Sequence, residues 1–264
     1  MNLTVLLFVP ADRPERFAKA VQSGADAAIV DLEDAVAPAN KVRAREAARA
    51  AFAGGLEAFV RINPVATEFG TGDVAALGGL HPRAVLVPKV EAASELADVR
   101  IVAPLIPLIE SVRGFRNIAE IAAVPNVAAL AFGAFDLCAE LGAQPLPDVL
   151  APYRSALVGA ARLARIAAID APFIDIDDEA ALQADARRAV EFGFDGKLAI
   201  HPRHVPTLRA SFTPSDAQVR HARAVLEAIE QGGVAVVDGK MVDPPLVAAA
   251  RRILARASTS PVRA

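Results

Sequence analysis

The chain has 264 residues, of which 54% are hydrophobic, and carries a formal net charge of −3. This length suits one α/β barrel or two small domains, and either could bury a large core. The net charge, without a basic stripe, argues against a nucleic-acid partner. The single Cys138 excludes an intrachain disulfide and a cysteine zinc cluster.

No apolar run reaches the roughly 18 residues that a membrane span needs. The first residues lack a basic region and a cleavage site, so they are typical of a strand rather than of a signal peptide. We therefore expect a cytoplasmic protein that acts on small molecules and binds no membrane.

Short β-type runs alternate with alanine-rich helical stretches along the chain. Several runs are apolar at nearly every position, as in strands that are covered on both faces. Eight such strands with helices between them predict a (β/α)₈ TIM barrel over residues 1–212. The predicted strands are Thr4–Val9, Ala27–Leu32, Ala58–Ile62, Ala84–Val87, Leu105–Ile109, Val127–Phe132, Pro172–Ile174 and Gly196–Ile200. The helix candidates are Pro14–Ser23, Pro38–Ala53, Gly114–Ala123, Val149–Ala168 and Glu179–Phe192.

The remaining residues, 213–264, are predicted to form a short C-terminal extension or lid rather than a ninth repeat. A helix over Ser215–Gln231 is followed by a β-type run at Val234–Val237. An Asp238-Gly239 turn and a final helix over Pro244–Ala257 complete this segment.

Polar residues stand at the C-terminal ends of the predicted strands, where this class of barrel places its chemistry. They are Asp12, Arg13, Asp31, Glu33, Asp34, Arg61, Asn63, Lys89, Glu110, Asp136, Asp175, Asp177, Asp178 and His201. Arg61 is the most informative, because an arginine between apolar strand residues needs carboxylates or a bound anion around it.

Several of these residues also have an ordinary structural interpretation. Glu110 could cap a helix or pair with a neighbouring arginine, and Asp136 could be a helix N-cap. The acidic run Asp31–Asp34 could be a turn before a helix. Lys89 is a Schiff-base candidate or an ion-paired lysine, and His201 is more typical of a structural histidine than of a metal ligand.

Taken together, the carboxylates would repel each other at one barrel mouth unless a cation lay among them. Oxygen ligands without cysteine or paired histidines suit Mg²⁺ first and Mn²⁺ second. Glu110 and Asp136, on adjacent strands, are the predicted direct ligands. Asp31, Glu33 and Asp34 are then predicted to hold waters around the ion.

At these residues the sequence resembles the citrate lyase β-subunit-like family, which belongs with the malyl-CoA lyases and HpcH/HpaI aldolases. Two departures stand out: Ala11 precedes Asp12-Arg13 where the family has glycine, and Phe135 replaces a glutamate. Because Asp136 is kept, Phe135 is expected to change substrate choice rather than chemistry. The matching stretches are Leu6–Pro10, Asp12–Arg16, Asp31–Val36, Val60–Pro64, Val87–Glu91, Pro107–Glu110, Gly133–Leu137, Phe194–Lys197, Ile200–Pro202 and Asp238–Pro244.

The resemblance implies that Glu110 and Asp136 bind Mg²⁺, with Ala134 and Phe135 among the substrate-binding residues. It places Arg61 near the reacting carbonyl and Arg13 beside the thioester. It also implies that Asp243 reaches a neighbouring subunit's site, so that the protein is a homo-oligomer, a trimer or hexamer. The alternative for Asp243 is a helix N-cap before Pro244.

The expected reaction is the reversible cleavage of a 3-hydroxyacyl thioester, such as citryl-CoA or malyl-CoA. The products are acetyl-CoA and a 2-oxo acid, oxaloacetate or glyoxylate, with Arg61 stabilising the enolate and Asp243 transferring the proton. The alternatives are a metal-dependent aldolase on free oxo acids, or a thioesterase or synthase. A subunit that is inactive alone and uses a carrier-protein thioester is a further alternative, and a non-catalytic sensor is the last.

Overall fold

The computed structural model of the protein describes residues 1–230, 236–238 and 240–259. The chain divides into two compact units, of which the first contains Leu3–Leu208 and the second begins at Arg209. In the first unit, eight parallel strands close into a barrel in chain order, which confirms the predicted TIM barrel. The functional division at residues 212 and 213 stays a prediction. The strands are β1 Val5–Pro10, β2 Ala27–Asp31, β3 Phe59–Arg61, β4 Val85–Val87, β5 Leu105–Ile109, β6 Ala129–Phe132, β7 Ala167–Asp170 and β8 Gly196–Ala199.

Helices follow the strands and cover their outer faces. Short 3₁₀ helices at Pro14–Arg16, Pro38–Asn40 and Ala93–Asp98 supplement them. Every residue of β2 and of β5 is buried, as expected for strands that are covered on both faces. The helices are α1 Phe17–Val21, α2 Lys41–Ala53, α3 Glu68–Leu77, α4 Val112–Arg116, α5 Ile118–Ala122, α6 Ala134–Leu141, α7 Pro147–Ala164, α8 Glu179–Phe192 and α9 His204–Phe212.

The barrel interior is filled by alternate residues of the strands, because successive strand side chains point to opposite faces. Ile29, Phe59, Leu86, Ile106 and Ile169 belong to this core. Alanines from β2 and β6 complete it, so the barrel encloses a packed core rather than a channel.

The seventh strand was predicted at Pro172–Ile174, and this was wrong. Strand β7 lies at Ala167–Asp170, so its first two residues overlap the end of the preceding helix, which was predicted to reach Ala168. Helix α7 instead ends at Ala164, where Arg165 adopts a left-handed conformation with φ of 60°. Alanine favours helices locally, but pairing with β6 and β8 decides the conformation of this segment.

Helix α3 was not predicted, because glycines interrupt its sequence. The Thr67 hydroxyl caps it by accepting a hydrogen bond from the Gly70 N–H at 3.1 Å. A Cβ at residue 70 would collide with the carbonyl of Pro64, so only glycine fits this close approach.

The second unit contains helix α10 at Asp216–Glu230, an antiparallel pair of strands and helix α11 at Pro244–Thr259. The strands are β9 at Val236–Val237 and β10 at Lys240–Met241, and the second of these was not predicted. Val234, Ala235 and Gly239 of the predicted run and turn lie outside the described residues. Ala222, Val225, Val242 and Ala250 form the core of this unit. None of the helices in the described part of the chain is long and apolar enough to cross a membrane.

Candidate active site

Side chains of each strand alternate between the barrel interior and its outer face, and this alternation also places a polar layer at the C-terminal end of the barrel. Asp31 stands two residues after Ile29, Arg61 two after Phe59, and Glu110 two after Leu108, so all three continue inward-facing rows. Each is buried. They line a cavity of about 390 Å³ together with Asp34 and with residues at the start of α6. The cavity therefore lies where TIM barrels carry their active sites.

Arg61 is held by a set of carboxylates. Its Nε and Nη2 donate to the two oxygens of Asp31 at 2.7 Å each, which is a bidentate pair. Nη1 lies 3.5 Å from Asp34 Oδ2, and the guanidinium covers the Phe8 ring with 4.6 Å to its centroid. Burial alone would lower the pKa of Arg61, but Asp31 and Glu33 outweigh it and raise that pKa. These contacts fix the position and the orientation of the charged Arg61 guanidinium.

Glu33 links Arg61 to Lys89. Its Oε2 lies 2.8 Å from Arg61 Nη1 but accepts no hydrogen bond among the described residues, so this contact is an ion pair. Its Oε1 lies 3.3 Å from Lys89 Nζ. Burial raises the pKa of Glu33 to about 7, and Arg61 opposes that rise. Glu33 is therefore a carboxyl group whose charge depends on its two cationic neighbours.

Glu110 lies at the end of β5 among other acidic groups. Its Oε1 accepts a 2.7 Å hydrogen bond from the backbone N–H of Lys89, a residue with a positive φ of 53°. Burial raises the pKa of Glu110 to about 8, and repulsion by Asp136 and Glu33 adds to this effect. A cation beside Glu110 would relieve that repulsion.

Asp136, Ala134 and Phe135 all belong to the first turn of helix α6. Their backbone N–H groups have no acceptor within the helix, because the first turn of any helix leaves its N–H groups unpaired. Asp136 Oδ2 lies 3.7 Å from Lys89 Nζ. All three residues line the cavity that contains Glu110 and Arg61.

The residues of the cavity fit a hard divalent cation. Glu110 and Asp136 offer carboxylate oxygens, and Mg²⁺ is usually bound through one or two carboxylates with other positions left for water and substrate. Across the described residues, no three histidine, cysteine or acidic side chains form a more complete metal cage. The donor chemistry and the like-charge repulsion at Glu110 both suit such an ion.

Other predicted residues have different positions. Arg13 is exposed after β1 and does not line the cavity in the described structure. Asp243 belongs to the second unit, where its Oδ1 accepts a 3.0 Å hydrogen bond from the Leu246 N–H and caps α11. Asn63 donates to Asp73 Oδ2 at 2.6 Å and so has a structural contact. The capping alternative for Asp243 is thereby observed, while its catalytic role stays a prediction.

Lys89 proves to be ion-paired, which is one of the two alternatives given for it.

Four apolar residues of the cavity were not among the predicted site residues. Phe8, Ile174, Leu198 and Ile200 line the cavity. Three of these residues could have been predicted from the alternation of strand side chains. Phe8 and Leu198 lie in inward-facing rows, and Ile200 continues the row of Leu198.

We predict that Gly133→Ala disrupts the Glu110 position. A Cβ at residue 133 would collide with Cβ and Oε2 of Glu110, so the carboxylate must move. We expect loss of Mg²⁺ affinity, and a decrease of about 1–3 kcal/mol in the free energy of unfolding from overpacking. Calorimetric titration with Mg²⁺ and thermal unfolding measure the two effects.

The matched control for that substitution is Gly159→Ala in helix α7. No atom lies within 4 Å of a Cβ built at residue 159. This variant should bind Mg²⁺ normally and gain about 0.5–1 kcal/mol of stability from the better helix propensity of alanine. Normal Mg²⁺ affinity in Gly133→Ala would contradict the prediction.

Comparison with known proteins agrees with this geometry. Residues 4–202 match the HpcH/HpaI aldolase/citrate lyase family. The citrate lyase subunit beta-like protein of Mycobacterium tuberculosis is 40% identical over 95% of this chain and 94% of its own. A (3S)-malyl-CoA thioesterase of Cereibacter sphaeroides is 36% identical over 96% of this chain and 93% of its own. The structure of CitE from Mycobacterium tuberculosis in complex with magnesium, acetoacetate and coenzyme A superposes with a TM-score of 0.88 at 38% identity, covering 97% of this chain and 98% of the other. The barrel, its polar layer and these similarities together show that the chain belongs to the HpcH/HpaI aldolase/citrate lyase family.

Proposed function

We propose that the protein is a Mg²⁺-dependent carbon–carbon lyase that cleaves or forms a 3-hydroxyacyl thioester such as citryl-CoA or malyl-CoA. The acyl product is acetyl-CoA or a carrier-protein thioester, and the other product is a 2-oxo acid such as oxaloacetate or glyoxylate. One observation supports this most strongly: the buried Arg61, fixed by Asp31, shares a cavity with Glu110 and Asp136. A fixed cation beside a metal-type carboxylate pair suits a reaction that develops negative charge on oxygen.

Glu110 and Asp136 would hold the Mg²⁺, with Mn²⁺ as the second choice. When bound, the ion would polarise the oxygen that alternates between hydroxyl and carbonyl. The N–H groups of Ala134 and Phe135 would bind the carboxylate of the 2-oxo acid, since a helix N-terminus favours an anion. Asp31, Glu33 and Asp34 orient Arg61. We also propose that these three carboxylates bind water molecules around the ion.

Arg61 would stabilise the enolate oxygen of the acyl fragment. The second N–H of Nη2 has no acceptor among the described residues, so it is free to donate to that oxygen. In synthesis, Asp243 would take a proton from the methyl carbon of the thioester, and the enolate carbon would then bond to the keto carbon. The keto oxygen takes up a proton from solvent and becomes the hydroxyl group, Asp243 releases its proton to solvent, and cleavage is the reverse. Arg13 would contact the thioester side of the substrate.

The metal site predicts a specific loss on neutralising its ligands. Glu110→Gln and Asp136→Asn should each weaken Mg²⁺ binding by about 10-fold or more, because each replaces a charged ligand with a neutral amide of similar shape. Calorimetric titration measures the affinity directly, without requiring turnover. Glu120→Gln removes an exposed charge from α5 and should leave the affinity unchanged. Wild-type affinity in both site variants would remove the metal from this proposal.

A thioesterase is the second candidate function, favoured by the similarity to the (3S)-malyl-CoA thioesterase. Incubation of the purified protein with a 3-hydroxyacyl-CoA and Mg²⁺ separates the two. A lyase releases acetyl-CoA and a 2-oxo acid in equal amounts, whereas a thioesterase releases free CoA and a hydroxy acid. The aldolase would use free oxo acids instead, and a dependent subunit would be inactive alone.

The proposal also places the enzyme in the cytoplasm as a homo-oligomer, a trimer or hexamer. The support is the predicted action of Asp243 on a neighbouring subunit, together with CoA thioesters as the substrates. Light scattering of the purified protein measures the oligomeric state.

A further inference from the structure

A lysine is buried behind the turn that leads out of strand β2, residues 31–35, which we name the acidic turn. Lys41 is the first residue of helix α2, and only 7% of its surface is exposed. A cation is unfavourable at this position, because a helix N-terminus carries partial positive charge. Burial lowers the pKa of Lys41 as well, and the carboxylates of Glu33 and Asp31 oppose that effect. Helix formation and burial both disfavour a lysine here, so the reason for it lies in its partners.

The Lys41 ammonium binds two backbone carbonyls of the acidic turn. Its Nζ donates to the oxygens of Leu32 and Glu33 at 2.7 Å each. The Leu32 oxygen also accepts from Asn63 Nδ2 at 2.9 Å, and the Glu33 oxygen accepts from the Val36 N–H at 3.0 Å. Both carbonyls would therefore stay hydrogen-bonded without the lysine. Lys41 adds a charge and a fixed position to the turn rather than a partner for unpaired acceptors.

Short hydrogen bonds connect the acidic turn to Arg61. The Glu33 N–H donates to Asp31 Oδ1 at 2.9 Å, and the Ala35 N–H donates to Asp31 Oδ2 at 3.2 Å. The same two oxygens accept from Nε and Nη2 of Arg61. A shift of the turn therefore moves the Asp31 carboxylate and, with it, the guanidinium.

The charge of Lys41 also balances the acidic turn. The turn carries three carboxylates, those of Asp31, Glu33 and Asp34. Arg61 contacts all three and Lys89 contacts that of Glu33, so these two cations leave one negative charge unmatched. Lys41 supplies the third cation. Without it, the carboxylates would repel one another more strongly and the turn would relax from its present position.

We propose that Lys41 is a positioning residue for the reaction, because it holds the acidic turn so that Asp31 aims the Arg61 guanidinium at the developing enolate oxygen. The proposal rests on the proposed function and assigns a further residue to it. Lys41 does not line the active-site cavity in the described structure, so it acts through the turn and not on the substrate.

Lys41→Met tests the proposal, since methionine keeps a long apolar stem and removes the charge and the donors. With malyl-CoA or citryl-CoA, whichever the wild type cleaves, kcat should fall by about 10–100-fold, as for other groups that orient a catalytic side chain. KM should change by less than about 2-fold, because substrate contacts are kept. If Lys41→Met does not fold, Lys41→Gln replaces it, since its amide can still donate to one carbonyl, and the loss in kcat should be smaller.

Arg83→Met is the matched control. Arg83 Nη1 donates to the Asp26 carbonyl at 3.2 Å, and its guanidinium lies 5.5 Å from the centroid of the Phe59 ring. Lys41 combines the same two kinds of contact, with Nζ 5.8 Å from the centroid of the Phe69 ring. Arg83 precedes β4 and so lies at the opposite end of the barrel from the cavity. This variant should keep the wild-type kcat.

A double substitution shows whether Lys41 acts through Arg61. Arg61→Lys already lacks the fork that Asp31 aims, so adding Lys41→Met should lower kcat by less than about 2-fold further. A purely structural lysine would give the same fold-loss in both backgrounds. Equal losses in the wild-type and Arg61→Lys backgrounds would overturn the proposal, as would a wild-type kcat in Lys41→Met.

Nuclear magnetic resonance of ¹⁵N-arginine-labelled protein gives a readout that does not depend on turnover. The Arg61 Nε–H signal, identified by its loss in Arg61→Lys, should exchange with solvent about 10-fold faster in Lys41→Met. The Nε–H of Arg154, which pairs with Asp170 at 3.0 Å away from the cavity, should be unchanged. If Arg61 exchanges faster but the wild type cleaves no thioester, Lys41 positions Arg61 and the proposed lyase reaction fails. If the wild type is active and the Arg61 signal is unchanged in Lys41→Met, the lyase reaction holds and the positioning role is overturned.

Discussion

Arg61→Lys should lower kcat by about 10²–10³-fold while the barrel stays folded, which is the loss expected when a donor to a developing oxyanion is removed. Lysine keeps the charge, so Asp31 retains a cationic neighbour. It lacks the planar fork that contacts both Asp31 oxygens at 2.7 Å, and its ammonium reaches a different point. The loss should appear mainly in kcat, since the interaction strengthens in the transition state. Steady-state kinetics and circular dichroism measure the two properties.

Arg45→Lys provides the matched control for this loss. Arg45 donates to Asp73 at 2.7 Å and to the Phe69 carbonyl at 3.0 Å, so it is also an arginine paired with a buried carboxylate. It does not line the active-site cavity. This variant should lose some stability and keep its kcat. If Arg61→Lys keeps the wild-type kcat, Arg61 has no role in stabilising the enolate.

The barrel could be predicted because its strands carry a strong local signal. Runs such as Leu105–Ile109 are apolar throughout, and all of that run is buried as β5. The strand-end rule then located Asp31, Arg61 and Glu110 without coordinates. All three line the cavity, since their side chains follow inward-facing core residues.

The seventh strand could not be predicted from local sequence. Ala167 and Ala168 have the composition of a helix, and only pairing with β6 and β8 makes them a strand. Helix α3 was missed for the opposite reason, since its glycines lower the helical signal. Its cap at Thr67 and the close approach of Gly70 to Pro64 depend on the neighbouring loop.

The ion pairs within the site could not be predicted from local sequence either. Asp31, Glu33 and Asp34 were predicted to hold waters around the metal, and this stays a prediction. The structure shows in addition that all three are partners of Arg61. The cause is the register of the barrel, in which Asp31 of β2 lies directly beside Arg61 of β3. A separation of 30 residues along the chain hides this contact until the strands are aligned.

Asp243→Asn should lower kcat by about 10²–10⁴-fold if Asp243 transfers the proton. Asparagine is as good an N-cap as aspartate, so the 3.0 Å bond to the Leu246 N–H and the stability of α11 should survive. The substitution therefore separates the observed cap from the proposed catalysis. A variant with full activity would leave Asp243 as a cap alone. Asp243→Ala removes both properties, and its thermal unfolding should show the loss of the cap.

Mixing two inactive variants then tests whether Asp243 serves a neighbouring subunit. Asp243→Asn and Glu110→Gln are combined under conditions that let subunits exchange. If the catalytic aspartate comes from a neighbour, some mixed oligomers contain a site with an intact Glu110 from one chain and an intact Asp243 from the other. Activity should then return, to a fraction set by the mixing ratio, and only after exchange. If the site is built within one chain, every site in the mixture lacks one of the two groups and no activity returns. A monomer with full activity would equally contradict the shared site, because it has no neighbour to supply Asp243.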